Sequence, residues 1–220
     1  MEIASWGAGV AMLAFYFGAR IGGEIEREQG IKAFVEARAE ANSPYPDFVT
    51  PRSLDWPDSE SPVLVASQPA LASQEWVGTQ EDEMPVFPDM ESLPIALLRI
   101  GRVGLEVPVY ADTTERNLNR GAGWVKGTAA PDDGGNIAIA AHRDGYFRVL
   151  KDVAVGDVLE LESITQERLY RVTEISIVEP GDTSSLSATE TAAVTLVTCY
   201  PFYFVGHAPQ RYIVRAVALQ

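Results

Sequence analysis

The sequence has only one cysteine, only two histidines and few basic side chains. Its 220 residues include 17 Lys or Arg against 31 Asp or Glu, which gives a formal net charge of −14. Nucleic-acid binding needs a basic surface, so this composition argues against that role. A lone cysteine excludes an intramolecular disulfide and a zinc site built from several thiolates. Cys199 is therefore either a small buried apolar side chain or a reactive thiol.

An uncharged apolar run lies near the N-terminus, over residues 3–19. As a helix this run would be roughly 25 Å long, against a bilayer core of roughly 30 Å. The long side chain of the flanking Arg20 could place its charged end among the lipid head groups. We expect residues 1–23 to form a transmembrane anchor. A cleaved signal peptide and a buried helix are the alternatives.

The next segment, residues 24–93, has two parts. Residues 24–41 place a few apolar side chains among Glu, Arg and Ala, which predicts a helical stalk. Nine of the fourteen prolines then fall between positions 44 and 94, together with many acidic residues. This composition is typical of a linker. Whether residues 42–93 also cover a functional site as a lid stays open.

Short strands dominate residues 94–220. Apolar or alternating runs separated by turn residues predict strands at 96–100, 105–110, 136–142, 157–163, 169–178, 193–199 and 211–219. One short helix is predicted at 113–119, with Asp112 as its N-cap. Seven or eight short strands in about 125 residues favour a small closed β-barrel.

Three side chains suited to acyl transfer lie at the ends of these strands. Cys199 ends one apolar strand, His142 follows another, and Arg211 opens the last. A thiol nucleophile needs a neighbouring cation or base, and a guanidinium can stabilise a developing oxyanion. Each residue also has an ordinary explanation: a packed thiol, an imidazole bonded to a turn, and a solvated arginine. His207 is interpreted as a loop residue, with substrate contact as the alternative.

The surrounding segments resemble those of a known family. TLVTCYPF at 195–202, AHRDGYFRVL at 141–150 and APQRYIVRA at 208–216 are similar to the cysteine, histidine and arginine segments of sortases. The CYPF and VGHAP pieces are most similar to the class D or Gram-negative branch. Ala141 and Gly145 depart from the usual glycine and threonine, which concerns substrate choice or loop rigidity. The resemblance covers roughly residues 94–220.

That resemblance implies a mostly β fold, a closed eight-stranded barrel with short helices, preceded by the anchor and linker. It also implies a cysteine transpeptidase with Cys199 as nucleophile, His142 as acid/base and Arg211 as oxyanion stabiliser. Such an enzyme cleaves a C-terminal sorting motif of an exported protein and passes the acyl group to an amine acceptor. Thr198 and Tyr200 are expected to contact the substrate. No cofactor and no metal-binding residue is expected, and metal dependence stays open.

Two other functions stay open on the sequence. One is a cysteine hydrolase of similar fold that uses water as the acceptor. The other is a membrane-anchored β-barrel that binds a partner without catalysis. The family resemblance and the apolar run together predict a single-pass protein of the cell membrane. Its residues 94–220 would then lie on the extracytoplasmic side, in the periplasm or at the cell surface.

Overall fold

The computed structural model describes residues 2–42, 93–203 and 206–219. Within them lie two α-helices, α1 (Glu2–Ala41) and α2 (Glu115–Arg120), and three short 3₁₀ helices at Gly101–Val103, Tyr146–Asp152 and Ser184–Leu186. The strands of the described part are β1 (Ala96–Ile100), β2 (Leu105–Tyr110), β3 (Ala122–Trp124), β4 (Asn136–Ala140), β5 (Val158–Ser163), β6 (Glu167–Val178), β7 (Ala193–Tyr200) and β8 (Gln210–Ala218).

The strands close into one barrel in the order β1-β2-β3-β4-β7-β8-β6-β5, and β5 pairs back with β1. The β2–β3 and β4–β7 pairs are parallel, and the other neighbours are antiparallel. The predicted closed barrel of eight short strands is confirmed. The short strand β3 had no counterpart among the predicted strands.

Alternating side chains fill the barrel interior. On β5, Leu159 and Leu161 are buried while Val158 and Glu160 between and beside them are not. Burying one such leucine contributes roughly 1.5–3 kcal/mol relative to leaving it in water. Among the strand residues of the interior core, the large and fully buried side chains are Leu98, Ile100, Ile137, Ile139, Leu159, Tyr170 and Leu196. This core holds the ends of β4, β7 and β8 in fixed positions.

The turn before α2 differs in detail from its prediction. The helix starts at Glu115 with Thr114 as its N-cap, two residues later than an Asp112 cap requires. The Asp112 carboxylate instead accepts hydrogen bonds from the Thr114 amide at 3.0 Å and from Asn117 Nδ2 at 2.7 Å. The bond from the Thr114 amide is the main reason that the pKa of Asp112 lies below its ordinary value. Asp112 therefore fixes the loop that leads into α2.

The helix α1 lies against the barrel in its C-terminal half. Phe34 is completely buried, and Arg27 Nη1 donates a hydrogen bond to the backbone oxygen of Glu106 at 3.0 Å. Gly30 lies so close to β2 that a Cβ there would come within 3.0 Å of Pro108 Cγ. Residues 24–41 are thus helical and pack on the barrel, and their role as a stalk stays a prediction.

The predicted membrane anchor over residues 1–23 is not supported. No helix in the described part of the chain is both long enough and apolar enough to cross a membrane. The uncharged run covers 17 residues and ends at Arg20, whereas a spanning helix needs about 20 apolar residues. Nearly all of the predicted linker, at 43–92, lies outside the described residues. The division at residues 23 and 93 stays a prediction.

Candidate active site

A cavity of about 230 Å³ opens at the end of the barrel where β4, β7 and β8 meet. Its walls combine the sequence-predicted catalytic residues with side chains of two adjoining loops. The lining residues are His142, Arg143, Asp144, Cys199, Gly206, His207, Ala208 and Arg211. The structure therefore brings His142, Cys199 and Arg211 together, although the last two lie far from the first in the sequence.

Cys199 and Arg211 are direct partners across the β7–β8 pair. Residues directly opposite each other in an antiparallel pair project from the same face of the sheet, about 4.5–5.5 Å apart. Cys199 is a free thiol, and both side chains are half-buried. The Arg211 guanidinium donates to the backbone oxygens of Ala208 at 3.4 Å and Gln210 at 3.1 Å. These bonds hold the arginine beside the thiol.

His142 is held to the cysteine strand through its preceding residue. The Ala141 amide donates to the Val197 oxygen at 3.3 Å. The Thr198 hydroxyl donates back to the Ala141 oxygen at 2.8 Å. Because β4 and β7 run parallel in register up to Ala140 and Val197, His142 emerges at the same rim as Cys199.

The two residues predicted to contact substrate have other contacts. Thr198 is buried, with 3% of its surface exposed, and its hydroxyl is engaged by Ala141. Tyr200 stacks on Tyr212 at 5.9 Å between ring centroids and meets Phe202 edge-on at 5.9 Å. Neither Thr198 nor Tyr200 is among the described residues that line the cavity. Their role in substrate binding stays a prediction.

Sequence reasoning missed a carboxylate beside the histidine. Glu115, the first residue of α2, places Oε1 3.4 Å from His142 Nε2. Glu115 is largely exposed, so water screens this pair and its contribution to stability is small. A carboxylate at this distance can nevertheless orient an imidazole ring. Nothing in the local pattern of residues 113–120 signals this contact, since it depends on how α2 docks against α1 and β3.

His207 lies in the loop between β7 and β8, as predicted, and it lines the cavity with Cys199. Among the described residues, no cluster of three or more His, Cys, Asp or Glu is arranged to hold a metal ion. A larger groove of about 530 Å³ lies between α1, α2 and β2, with Gln29, Tyr110 and Arg120 in its walls. Its described lining residues include no thiol or imidazole, whereas the smaller cavity contains both.

The arrangement suits attack by a thiol on a carbonyl group. Cys199 supplies the nucleophile, and the guanidinium of Arg211 lies across the strand pair where it can meet an oxyanion. His142 lines the same cavity and can donate or accept a proton. The half-exposed position of all three leaves room for a peptide segment to reach them.

Comparison with known proteins places the barrel in a family. A model of the sortase domain matches residues 98–219. Sortase D of Bacillus subtilis (strain 168) is 36% identical over 119 residues, which are 54% of this chain and 60% of that protein. Sortase A of Bacillus anthracis is 34% identical over 124 residues, 54% of this chain and 57% of that protein. The chain thus spans about three fifths of the length of these relatives.

Solved structures agree with this match. A Clostridium perfringens sortase D5 transpeptidase superimposes with a TM-score of 0.53 at 29% identity, covering 58% of this chain and 80% of that one. Sortase A from Corynebacterium diphtheriae gives a TM-score of 0.54 at 30% identity, covering 58% of this chain and 61% of that one. The similarity to sortase D proteins supports a class D-like assignment. On the match over more than half of its length, this chain belongs to the sortase family.

Proposed function

We propose that this protein is a sortase-type cysteine transpeptidase that cleaves a C-terminal sorting motif and transfers the acyl end to an amine. One observation carries the proposal: Cys199 and Arg211 face each other across β7 and β8, and His142 lines the same cavity. Family membership adds the expectation of a peptide substrate. The chain spans only part of its relatives, and the proposed steps use its own cavity residues.

In the first half-reaction, Cys199 Sγ attacks the scissile carbonyl carbon and forms a tetrahedral adduct. The carbonyl oxygen becomes an oxyanion, which Arg211 stabilises with hydrogen bonds and charge. The adduct then collapses, the carbon–nitrogen bond breaks, and imidazolium at His142 donates a proton to the departing amine. The products are a thioester on Cys199 and a free C-terminal peptide.

In the second half-reaction, an acceptor amine attacks the thioester carbonyl. His142, now neutral, takes the proton that the amine loses, and the Cys199 thiolate leaves as the new amide forms. Thiolate is a better leaving group than alkoxide, so aminolysis can compete with hydrolysis. The Glu115 carboxylate, 3.4 Å from His142 Nε2, can orient the ring for these proton transfers.

The test is to trap the thioester and identify its acceptor. The full chain is incubated with a panel of peptides that carry candidate sorting motifs, and intact mass spectrometry locates the acyl adduct on Cys199. The same reaction is then titrated with an added amine such as triglycine. We expect an amide product that rises with amine concentration. Cys199→Ala should remove the adduct and lower the rate of product formation by roughly six orders of magnitude.

The other two functions give different results in the same experiment. A hydrolase yields only free acid at every amine concentration, although the adduct still forms on Cys199. A binding module forms no adduct, and Cys199→Ala then retains peptide affinity and function. Either result would contradict the transpeptidase proposal. His142→Gln removes the proton donor, so a rate that falls in this variant shows that the wild-type chain catalyses the reaction.

Partners and location form a second part of the proposal. The substrate would be an exported protein with a sorting motif, and the acceptor an amine of the cell envelope or of another protein. This chemistry favours the extracytoplasmic side, with attachment to the cell membrane through residues 1–23 as the predicted means. Fractionation of cells that express the tagged full chain, followed by protease treatment of intact cells, tests both. Recovery in the soluble cytoplasmic fraction would contradict them.

A further inference from the structure

Arg143, the residue after His142, reaches across to the loop that joins β7 and β8. Its Nη1 donates to the Pro201 oxygen at 3.2 Å, and its Nη2 donates to the Gly206 oxygen at 2.9 Å. These two carbonyls lie five positions apart in the sequence: Pro201 begins the loop, and Gly206 lies near its middle. A single guanidinium therefore fastens two points of the loop to the histidine segment.

Arg211 holds the next part of the same loop from the other side, through its bond to the Ala208 oxygen at 3.4 Å. The segment from Gly206 to Ala208 is thus bound at one end by Arg143 and at the other by Arg211. Gly206 has a φ of 104°, a backbone conformation that is strained for any residue with a Cβ atom. His207, between these two anchor points, lines the catalytic cavity.

We propose that Arg143 is a positioning residue: it fixes the β7–β8 loop and thereby the guanidinium of Arg211 beside Cys199. This inference rests on the proposed transpeptidase function for its kinetic consequence. The planar fork of a guanidinium can donate to two separated acceptors at once, whereas an ammonium group is a single point of charge. Lysine at position 143 should therefore keep the charge and lose the double attachment.

The first experiment measures hydrogen–deuterium exchange of the full chain carrying Arg143→Lys or Arg143→Gln. In both variants we expect amides of residues 201–209 to exchange at least tenfold faster, while β4 and β7 keep their protection. Arg171→Gln, an exposed arginine on β6, serves as the matched control and should leave the loop unchanged. Unchanged loop exchange in Arg143→Lys, or loss of protection throughout the barrel, would overturn the proposal.

The second experiment measures kcat and KM for acyl transfer with the same variants. We expect kcat to fall about tenfold or more in both, with a smaller change in KM, since the oxyanion contact is lost and peptide binding is not. In an Arg211→Lys background, the additional effect of Arg143→Lys should be much smaller, because residues that act through one another are not additive. Full rescue by lysine, or additive losses, would refute the positioning role.

The two experiments also separate this inference from the proposed function. Hydrogen–deuterium exchange in the β7–β8 loop can be measured whether or not the chain turns over a substrate. If the wild-type chain transfers no acyl group, the transpeptidase proposal fails, while loop exchange in Arg143→Lys still decides whether Arg143 holds the loop. If transfer occurs and loop exchange rises with kcat unchanged, the transpeptidase stands and the positioning role is wrong.

Discussion

Replacing Thr198 by valine tests whether its hydroxyl holds the site together or contacts the substrate. Valine has nearly the same shape, so the change removes one hydroxyl from a residue that is 3% exposed. The lost hydrogen bond is the 2.8 Å contact to the Ala141 oxygen, next to His142. That carbonyl stays buried after the substitution, since Ala141 is itself 6% exposed.

The expected cost follows from leaving a buried acceptor without this donor. Such a loss lowers the free energy of unfolding by about 1–3 kcal/mol. For a chain of this size, each kcal/mol lowers Tm by about 2–4 °C, so Tm should fall by roughly 2–12 °C. Because Ala141 precedes His142, we also expect kcat to decrease. Thermal unfolding followed by circular dichroism gives Tm, and steady-state kinetics with a sorting peptide gives kcat and KM.

Two controls make the result specific. Thr198→Ser keeps the hydroxyl and should recover most of the stability. Thr173→Val removes a similar hydroxyl from an exposed position, where its contact to the Arg215 oxygen is 3.4 Å long, and should change stability by no more than about 0.5 kcal/mol. If Thr198→Val keeps the wild-type Tm and raises only KM, the hydroxyl contacts substrate and our structural explanation is refuted.

Three further outcomes concern the oxyanion group, the helix contact and the pH dependence. Arg211→Lys should lower kcat/KM about 100-fold in a peptide assay, because lysine lacks the fork beside the thiol; a loss below threefold would exclude an oxyanion role. Phe34→Ala should speed amide exchange across residues 22–41, since the buried ring is worth about 3–5 kcal/mol, whereas the half-exposed Val35→Ala should not. The hydrogen bond from Arg102 lowers the pKa of Asp157. The folded carboxyl then adds stability above its unfolded pKa of about 3.9, and this stability is lost as the pH falls through the lower folded value. Urea midpoints of Asp157→Asn between pH 2 and 6 should lack that dependence, and an unchanged pH profile would contradict it.

Most of the barrel could be predicted because its strands carry strong patterns. The apolar run of β4 and the alternation of β5 match their observed ranges closely. Strand β3 escaped prediction because Ala122–Trp124 is three residues long, contains a glycine and pairs with β2 over only two positions. A segment this short has no periodicity to read, and only the neighbouring strands make it a strand.

The packing of α1 could not be predicted for a different reason. Residues 24–41 have few apolar side chains, and Ile25 and Val35 are each 49% exposed in the structure. The helix is instead held by Phe34, by the close approach of Gly30 to Pro108, and by Arg27 at a backbone oxygen. Contacts of a glycine and an arginine produce no apolar pattern, so the few apolar side chains of this segment indicated only a helical stalk.

The clustering of Cys199, Arg211 and His142 was predictable from strand ends because of how these strands are joined. The connection from β7 to β8 is antiparallel, so the last positions of one strand meet the first positions of the next, and Cys199 must lie near Arg211. The β4–β7 pair is parallel, so residues that follow each strand emerge at the same rim, and His142 joins the cysteine. Side-chain contacts that cross between loops obey no such rule. Glu115 at His142 and Arg143 at the β7–β8 loop depend on the angle of α2 and the course of the loop. The strand order therefore specifies which side chains meet at the rim, and these crossing contacts determine how firmly they are held.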